Sequence, residues 1–551
     1  GIGETYFMTC KYDEATNILE KAISLAENMS IAPRQIVMIY HWLTETLFWR
    51  YQFDEVIRYG EKGLQLLGDD TECVEAALMN TCVAFSSRWK GDSKKHEEYI
   101  YRNIKFVMNL EYTKELRIAY DHIAQYFLHY SNDMETSLKW SKALERQARK
   151  KNDIRGIATA KINETYASLI KGDLRGSLLL SNACIEISQG IGDYMTLSEI
   201  YSAKIDLLIR LGEIEEAKEH NQAYLSLSEQ IGEGDWLTRA YAYSNLGNIS
   251  LCQHHWEEAI YYYQKCIEHR SSSSASIAWS KSLLGYAYMK KGDYDKAIEI
   301  FHEYADKNAQ YGLFSSLDAL EYIYRNIGKR DEFLDFCKSY REKHAESVKE
   351  LPLQQWYLEP EPISNEYSNL AFTDDLDNEP LDPSWSWLNT LDDCSYKIVE
   401  TDKGQKGLEI SAVNGRSLSG LNLSAPRFIR EVTGDFAVQV CILSPSEDKP
   451  QLGGLMIWKD EGNYICFEKG KSDRYGFQFS GYSDKKYLMA GRGYLPDEND
   501  EKVYLRLERS GDIFSAYVST DSVNWLTCGK LTMQIDDPIQ VGIYAHGMIN
   551  R

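Results

Sequence analysis

Three carboxylates stand close together at Asp374, Asp375 and Asp377, and their spacing could support metal chemistry. Calcium prefers oxygen ligands from side chains of this kind. A solvated entrance to a strand explains the same run of acids. We therefore predict no metal site, and name these three residues as the ones that would supply ligands if one formed.

The remaining reactive side chains form no recognisable catalytic set. No glycine-rich phosphate loop occurs, so we expect no nucleotide hydrolysis. His546 is the only histidine after residue 369, which excludes a Ser-His-Asp triad or a multi-histidine metal site within that part. Eleven scattered cysteines without a CxxC pair argue against zinc and disulfide frameworks. We predict a cytoplasmic protein that is not an enzyme and needs no cofactor.

Net charge and hydropathy argue against two classes of partner. The 551 residues include 61 basic and 83 acidic side chains, a formal net charge of −22. Such a surface repels phosphate backbones, so we expect no nucleic-acid partner. A membrane helix needs about 20 consecutive apolar residues. No run of that length occurs, so we expect no membrane partner either.

Proline divides the chain into two architectures. Of eleven prolines only Pro33 precedes residue 350, and proline costs about 3 kcal/mol inside a helix. Residues 1–350 therefore have the composition of an all-helical array. Residues 351–369, which hold three prolines, form the predicted linker. Glycine-rich turns and alternating apolar residues then predict an all-β domain over residues 370–551.

A turn of the form Gly-Asp/Glu-apolar-x-x-small recurs between pairs of amphipathic helices. Its clearest copies are Gly212–Ala217 and Gly292–Ala297, and the last residue of each copy is the anchor of its repeat. Glycine ends one helix, the acid caps the next, and a small anchor lets the two helices approach. The mean spacing, just under 40 residues, predicts an α-solenoid of about nine helix-turn-helix repeats. The anchors are Ala15, Val56, His96, Ser137, Ser177, Ala217, Ala259, Ala297 and Phe333.

The best-preserved repeats resemble a known family. Tyr243, Leu246 and Gly247, followed by Trp256–Ile260, resemble the tetratricopeptide repeat consensus. The period near 40 is similar to the sensor arrays of STAND-class bacterial regulators, in which a nucleotide-switch ATPase precedes the repeats. Because the chain begins at Gly1 in the middle of a repeat unit, we expect it to be a fragment of a larger bacterial signalling protein.

The tetratricopeptide resemblance implies a concave groove that binds a protein or peptide. The position eleven residues before each anchor would face this groove, and five of its eight occupants are aromatic. Packing between repeats is the alternative role for these side chains. The acidic members favour a ligand with a basic or neutral stretch. The eight candidates are Glu45, Phe85, Tyr126, Tyr166, Asp206, Asn248, Tyr286 and Tyr322.

Apolar residues alternate at period two along the C-terminal part. Phe436–Ile442 and Val503–Leu507 are clear examples. Many short strands without an intervening helical pattern predict an antiparallel β-sandwich. We expect Trp458 to lie in its core, because it ends the apolar run Leu455–Trp458.

The sandwich also resembles a family, through segments that include Leu381–Trp387, Gly453–Tyr464 and Gln540–Ala545. They are similar to the concanavalin-A-like (jelly-roll) sandwich beside bacterial family-43 glycosidases, and to a related bacterial "regulation of enolase" domain. The resemblance implies a possible carbohydrate ligand. Trp385 and Trp387 share one strand face and would form its platform, although a place in the core is the alternative.

These observations together predict a non-enzymatic interaction and ligand-sensing fragment. Its repeats would bind a protein or peptide, and its sandwich would bind a ligand, for which the family resemblance implies a carbohydrate. Two alternatives stay open. One is a degenerate or accessory carbohydrate-active module on a repeat scaffold, which is disfavoured because the Glu-x-Asp-x-x-Glu strand of catalytic sandwich hydrolases is missing. The other is a purely structural scaffold.

Overall fold

The computed structural model describes most of the chain. The residues outside the description are 10, 28, 30, 51, 132, 232–235, 270–273, 308–312, 344–358, 364–371, 401–403, 444–451, 471–475, 496–501 and 548–551. Most of the predicted linker at 351–369 therefore lies outside the described residues.

The N-terminal part is helical, as its composition predicts. Odd-numbered helices are the first helix of each hairpin and even-numbered helices the second. The helices of the described chain are α1 Ile2–Met8, α2 Tyr12–Glu27, α3 Pro33–Trp49, α4 Phe53–Leu67, α5 Val74–Trp89, α6 Ser93–Ile104, α7 Arg117–His129, α8 Met134–Lys150, α9 Ile154–Lys171, α10 Leu174–Ile191, α11 Tyr194–Leu211, α12 Ile214–Ile231, α13 Trp236–Cys252, α14 Trp256–His269, α15 Ser274–Lys291, α16 Tyr294–Lys307, α17 Leu313–Asn326 and α18 Arg330–Lys343, with a 3₁₀ turn at Val107–Asn109.

The anchor positions confirm the predicted repeat. Every one of the nine anchors lies on an even-numbered helix, and each is no more than 2% exposed. The turns carry the predicted chemistry, since Gly212 and Gly292 adopt φ values of +80° and +87°. Asp92 caps α6 by accepting a hydrogen bond of 2.9 Å from the backbone N–H of Lys95. A left-handed glycine followed by an acidic cap is how one helix ends and its partner begins within a few residues.

The C-terminal part is built from antiparallel strands. The strands of the described chain are β1 Glu359–Pro360, β2 Ser386–Leu388, β3 Ser395–Glu400, β4 Lys406–Ser411, β5 Arg427–Val432, β6 Phe436–Leu443, β7 Gly453–Asp460, β8 Asn463–Lys469, β9 Gly476–Ser483, β10 Lys486–Tyr494, β11 Lys502–Ser510, β12 Ile513–Ser519, β13 Leu526–Thr532 and β14 Ile539–Ala545.

Two large sheets form the predicted sandwich. The five-stranded sheet has the order β1-β13-β12-β11-β6, and the seven-stranded sheet has the order β10-β9-β8-β7-β14-β5-β2. Alternate residues of β7 and β11, such as Leu455, Ile457 and Leu505, enter the core between them. A separate two-stranded ribbon pairs β3 with β4. The register follows the alternation of apolar residues, since a slip of one residue would turn the core face outward.

The placement of Trp458 corrects one expectation. Leu455 and Ile457 point into the core, so strand alternation places Met456 and Trp458 on the opposite face of the seven-stranded sheet. There Trp458 is half-buried and stacks on Tyr464 with ring centroids 5.3 Å apart. An apolar run on a strand does not by itself place every member in the core.

The chain forms two compact units. One contains Gly1–Ile170 and Leu174–Lys291, and the other contains Lys171–Asp173 and Gly292–Arg551. Within the second unit, Asp318 on α17 forms an ion pair with Arg492 of β10 and accepts a hydrogen bond of 3.2 Å from Tyr494.

The buried anchors generate a test. Ala217 is fully buried on α12, whereas Ala223 on the same helix is exposed. Ala217→Leu inserts three carbon atoms where two helices meet, and should lower the free energy of unfolding by about 1–3 kcal/mol. Ala223→Leu should change it by less than about 0.5 kcal/mol. Urea unfolding followed by circular dichroism measures both, and equal losses in the two variants would contradict the anchor assignment.

Candidate functional site

Side chains from the first helices of distant hairpins meet on one face of the first unit. Glu45 on α3 interacts electrostatically with Arg117 on α7 and with Arg155 on α9, although α3 and α9 are three hairpins apart. Asp121 on α7 likewise interacts with Glu199 on α11, two hairpins on. Packed helices lie about 8–10 Å apart, so a straight stack would separate these groups too widely. The first helices of these hairpins therefore converge on one face of the array.

We call this group the inner charged cluster. Its members come from four first helices, and none comes from a second helix. They are Glu45, Arg117, Asp121, Arg155, Asn163, Tyr166 and Glu199.

Hydrogen bonds and ion pairs organise the cluster. Asn163 donates through Nδ2 to Oδ1 of Asp121 at 2.8 Å, and Tyr166 interacts electrostatically with Glu199. Arg155 is held by Asp193, with its Nε 2.8 Å from the carboxylate, and both side chains are well buried. Helical spacing explains the local arrangement, because Asn163 and Tyr166 are three residues apart on the same face of α9.

The carboxylates of the cluster hold their protons more tightly than usual. Removal of water by the surrounding protein raises the pKa of Glu45 to about 7, although Arg117 and Arg155 oppose the shift. The same cause raises the pKa of Asp121 to about 6, against its hydrogen bonds from Asn163 and Gln125. Glu199 is exposed toward the concave side, yet desolvation and the nearby Asp121 raise its pKa to about 7. Weakly solvated charges of this kind are typical of functional sites.

Two of the sequence-derived groove candidates, Glu45 and Tyr166, belong to the inner charged cluster. Phe85 and Tyr126 are instead only 7% exposed. Phe85 stacks on His122 with ring centroids 3.8 Å apart, and Tyr126 donates a hydrogen bond of 3.3 Å to Glu97. These two aromatics pack mainly within the protein and offer little surface.

The other four candidates are half-buried. Asp206 forms an ion pair of 2.6 Å with Arg210 on its own helix. Asn248 accepts a hydrogen bond of 2.8 Å from the Tyr263 hydroxyl, which is the kind of partner expected for an amide on an apolar helix face.

The last two of these four are tyrosines. Tyr286 lies beneath the ammonium group of Lys290, 5.3 Å from the ring centroid. The backbone carbonyl of Tyr322, which lies in the second unit, accepts a hydrogen bond of 2.8 Å from Asn326.

The sandwich residues predicted to bind a ligand pack around one buried ring. Trp385 and Trp387 are both half-buried and contact Phe428, with centroids 6.5 Å and 4.7 Å apart. The indole N–H of Trp385 donates to Asp374 at 3.0 Å. The buried part of each tryptophan side chain is thereby engaged in contacts within the domain.

The predicted acidic run is partly occupied by hydrogen bonds. Asp374 accepts from Trp385 and from the backbone N–H of Leu376, at 2.9 Å, while Asp375 is exposed and Asp377 accepts from the Asn378 side chain at 2.5 Å. Across the described parts of the chain, no three His, Cys, Asp or Glu side chains are grouped so that they could hold a metal ion.

A second polar group lies on the outer face of the seven-stranded sheet. Glu468 accepts a hydrogen bond of 3.0 Å from Tyr544 and lies 3.2 Å from Nε2 of His546. Glu468 is 8% exposed and Tyr544 is 3% exposed, because the segment before β5, including Leu418, covers this face. The group is closed to large ligands in this structure.

Comparison with known families assigns both parts of the chain. Residues 196–272 and 282–310 match tetratricopeptide repeat models, and residues 419–547 match the family "Protein of unknown function (DUF1349)". The chain joins segments that match tetratricopeptide repeats to a segment that matches the DUF1349 family. Both resemblances proposed from the sequence, the repeat array and the concanavalin-like sandwich, are thereby confirmed.

Solved structures with similar folds share little sequence with the chain. A STAND protein with a tetratricopeptide repeat sensor from Pyrococcus horikoshii is 14% identical over 63% of this chain and 54% of that one, with a TM-score of 0.40. A Rap protein complexed with Competence and Sporulation Factor is 16% identical over 57% and 93%, with a TM-score of 0.41. The carbohydrate binding module CBM66 from Bacillus subtilis is 12% identical over 30% and 92%, with a TM-score of 0.21.

The chain spans about half the length of the STAND protein. No curated protein sequence matches it. None of the described helices combines the length and the apolar character that crossing a membrane requires.

The fixed offset used to find groove residues missed most of the inner charged cluster. It samples one position on each first helix, whereas the concave face of a tetratricopeptide helix recurs every three to four residues. Asn163 and Arg155 lie three and eleven residues before Tyr166, and Glu199 lies seven before Asp206. Positions three, seven and eleven residues earlier share a helix face with the sampled one, and that signal was available in the sequence.

The raised pKa of Glu45 predicts a pH-dependent stability. In the folded protein this carboxyl keeps its proton up to about pH 7, while in the unfolded chain it loses it near 4.5. The folded state therefore loses stability as pH rises between these values. Glu45→Gln mimics the protonated form. The difference between its free energy of unfolding and that of the native chain should be about 1–3 kcal/mol larger at pH 8 than at pH 5.

Thermal unfolding at both pH values measures this gain. Glu135→Gln serves as the matched control, since the Glu135 side chain is 81% exposed on α8. A gain for Glu45→Gln that is the same at both pH values would contradict the assigned titration.

Proposed function

We propose that the tetratricopeptide array binds a segment of a protein or peptide along its concave side. The observation that carries this proposal is the inner charged cluster, which gathers seven polar side chains from hairpins up to four repeats apart. Three carboxylates gathered on one face gain nothing from one another in folding, since like charges repel. A bound partner of complementary charge would make such an arrangement favourable.

The chemistry of the cluster suits an extended polypeptide. Arg117 forms no hydrogen bond or ion pair with a described residue, so its guanidinium is available to backbone carbonyls of a ligand. Tyr166 within the cluster and Tyr286 on α15 supply half-buried aromatic surface. Interface energy concentrates in such aromatic and arginine side chains.

The remaining parts of the proposal concern context. Tetratricopeptide repeats are protein-interaction modules, and we infer that this chain acts without catalysis as a recognition part of a larger bacterial signalling protein. We place it in the cytoplasm, which agrees with cysteines that are all free among the described residues. The sequence resemblance to STAND-class sensor arrays supports the same reading.

Ligand binding by the sandwich is the second candidate function. Trp387 keeps part of its surface exposed beside Tyr396, at a centroid distance of 5.0 Å, and paired aromatic rings can stack on sugar. The buried outer face around Glu468 favours the repeats as the main recognition site. A carbohydrate on this domain therefore ranks behind a peptide in the groove.

Substitution of two groove tyrosines tests the main proposal. A random dodecapeptide display library is selected against the native chain, and binding of the enriched peptides is then measured. Replacing both Tyr166 and Tyr286 by Ala should weaken that binding by about 2 kcal/mol or more if they act as hot spots. Tyr261→Ala is the control, because Tyr261 is 53% exposed on the second helix α14.

Thermal melting separates binding from folding in this experiment. Truncation of aromatic core side chains costs about 3–5 kcal/mol, so a large fall in the melting midpoint would place the tyrosines in the core between repeats. Failure to enrich any peptide, with the native chain folded, would contradict the proposed function.

A further inference from the structure

We propose that the inner charged cluster holds a positively charged nitrogen of the bound peptide, either a lysine or arginine side chain or a free amino terminus, between Asp121, Glu199 and Glu45. This inference rests on the proposed function and adds the chemical class of the group that the groove selects. Three features favour a cation: the negative charge of the cluster, the unsatisfied oxygen of Asn163, and carboxylates supplied by three separate hairpins.

The charge balance of the cluster is negative. Its three carboxylates face two arginines, and Arg155 is already paired with Asp193. Arg117 alone remains to balance Glu45, Asp121 and Glu199. A ligand cation brought to this face therefore gains attraction from several directions, and a ligand anion is repelled.

A buried amide next to the carboxylates lacks one partner. Asn163 is only 1% exposed, and its Nδ2 is engaged by Asp121, while its Oδ1 accepts no hydrogen bond. A buried acceptor without a partner costs free energy, so such atoms are commonly satisfied by a ligand or ordered water. An ammonium or guanidinium group carries three or more N–H donors, which is enough to reach this oxygen and a carboxylate together.

The three carboxylates follow one another on alternate hairpins. Glu45, Asp121 and Glu199 belong to the second, fourth and sixth hairpins, and each interacts with the next. Tyr166 interacts electrostatically with Glu199. A ligand held by all three would brace hairpins that do not pack directly on one another.

Binding of a cation should release protons. The groups that face Asp121 are Arg117, Gln125, Asn163, Glu45 and Glu199, and desolvation raises its pKa to about 6. Those that face Glu199 are Asp121, Tyr166 and Asp193, and its pKa rises to about 7. Glu45 faces Arg117, Arg155 and Asp121. Because a lysine or arginine side chain stays charged over this range and prefers the ionised carboxylates, affinity for it should rise between pH 6 and pH 8.

The experiment uses the peptides enriched by display on the full chain. Each is resynthesised with every lysine or arginine replaced by norleucine, and each version is made with a free and with an acetylated amino terminus. Fluorescence anisotropy of carboxyl-terminally labelled peptides then gives the affinities. We expect removal of the decisive cation to weaken binding by about tenfold or more at pH 8, and by less at pH 6.

Variants of the chain assign this effect to the cluster. Asp121→Asn combined with Glu199→Gln should abolish the preference for the cationic version, while Glu135→Gln should preserve it. The comparison between cationic and norleucine peptides uses the native chain, so it decides the question even if the double variant does not fold. Weaker binding after norleucine substitution identifies a side chain as the bound cation, and weaker binding after acetylation identifies the amino terminus.

Each remaining outcome counts against a defined statement. Enriched peptides that bind equally well with norleucine and an acetylated terminus would overturn this inference and leave the proposed function standing. A preference that persists in the double variant, shown to be folded by circular dichroism, would also overturn it. No enrichment of any peptide would overturn both.

Discussion

The close approach of helices at the anchor positions is the constraint on which the rest of the structure depends. One helical hairpin cannot bury its apolar face alone, so each must lie against the next. All nine anchors are buried, and their spacing near 40 residues returns the same face of each first helix to the inner side. This regular spacing brings Glu45 on α3 within electrostatic reach of Arg155 on α9. No single contact does so.

Charge placement on the concave side differs from charge placement elsewhere on the array. Most ion pairs of the described chain are exposed and join residues one turn apart or on neighbouring helices, where they contribute little to stability. In the inner charged cluster, desolvation raises the pKa of Glu45, Asp121 and Glu199, so these carboxyls are partly protonated near neutral pH. Folding alone does not explain such an arrangement, and recognition of a cation does.

The DUF1349 domain uses its polar residues in another way. The outer face of its seven-stranded sheet carries Glu468, Tyr544 and His546, which contact one another, and the segment preceding β5 packs over this face. Burial of that face leaves Trp385 and Trp387 as the more accessible aromatic pair, and both are anchored on Phe428. The two units thus differ in accessibility, since the repeats expose their polar cluster and the sandwich covers its own.

The sequence by itself determined the two architectures, the positions of the anchors and most strands, because helix and strand periodicities are local properties of the chain. It also named Glu45 and Tyr166 as groove candidates, through a fixed offset from each anchor. Only the tertiary structure decided that Arg117 and Asp121 join them, since their meeting depends on how tightly successive hairpins curve. Curvature sums small rotations over many interfaces, and no local sequence pattern records that sum.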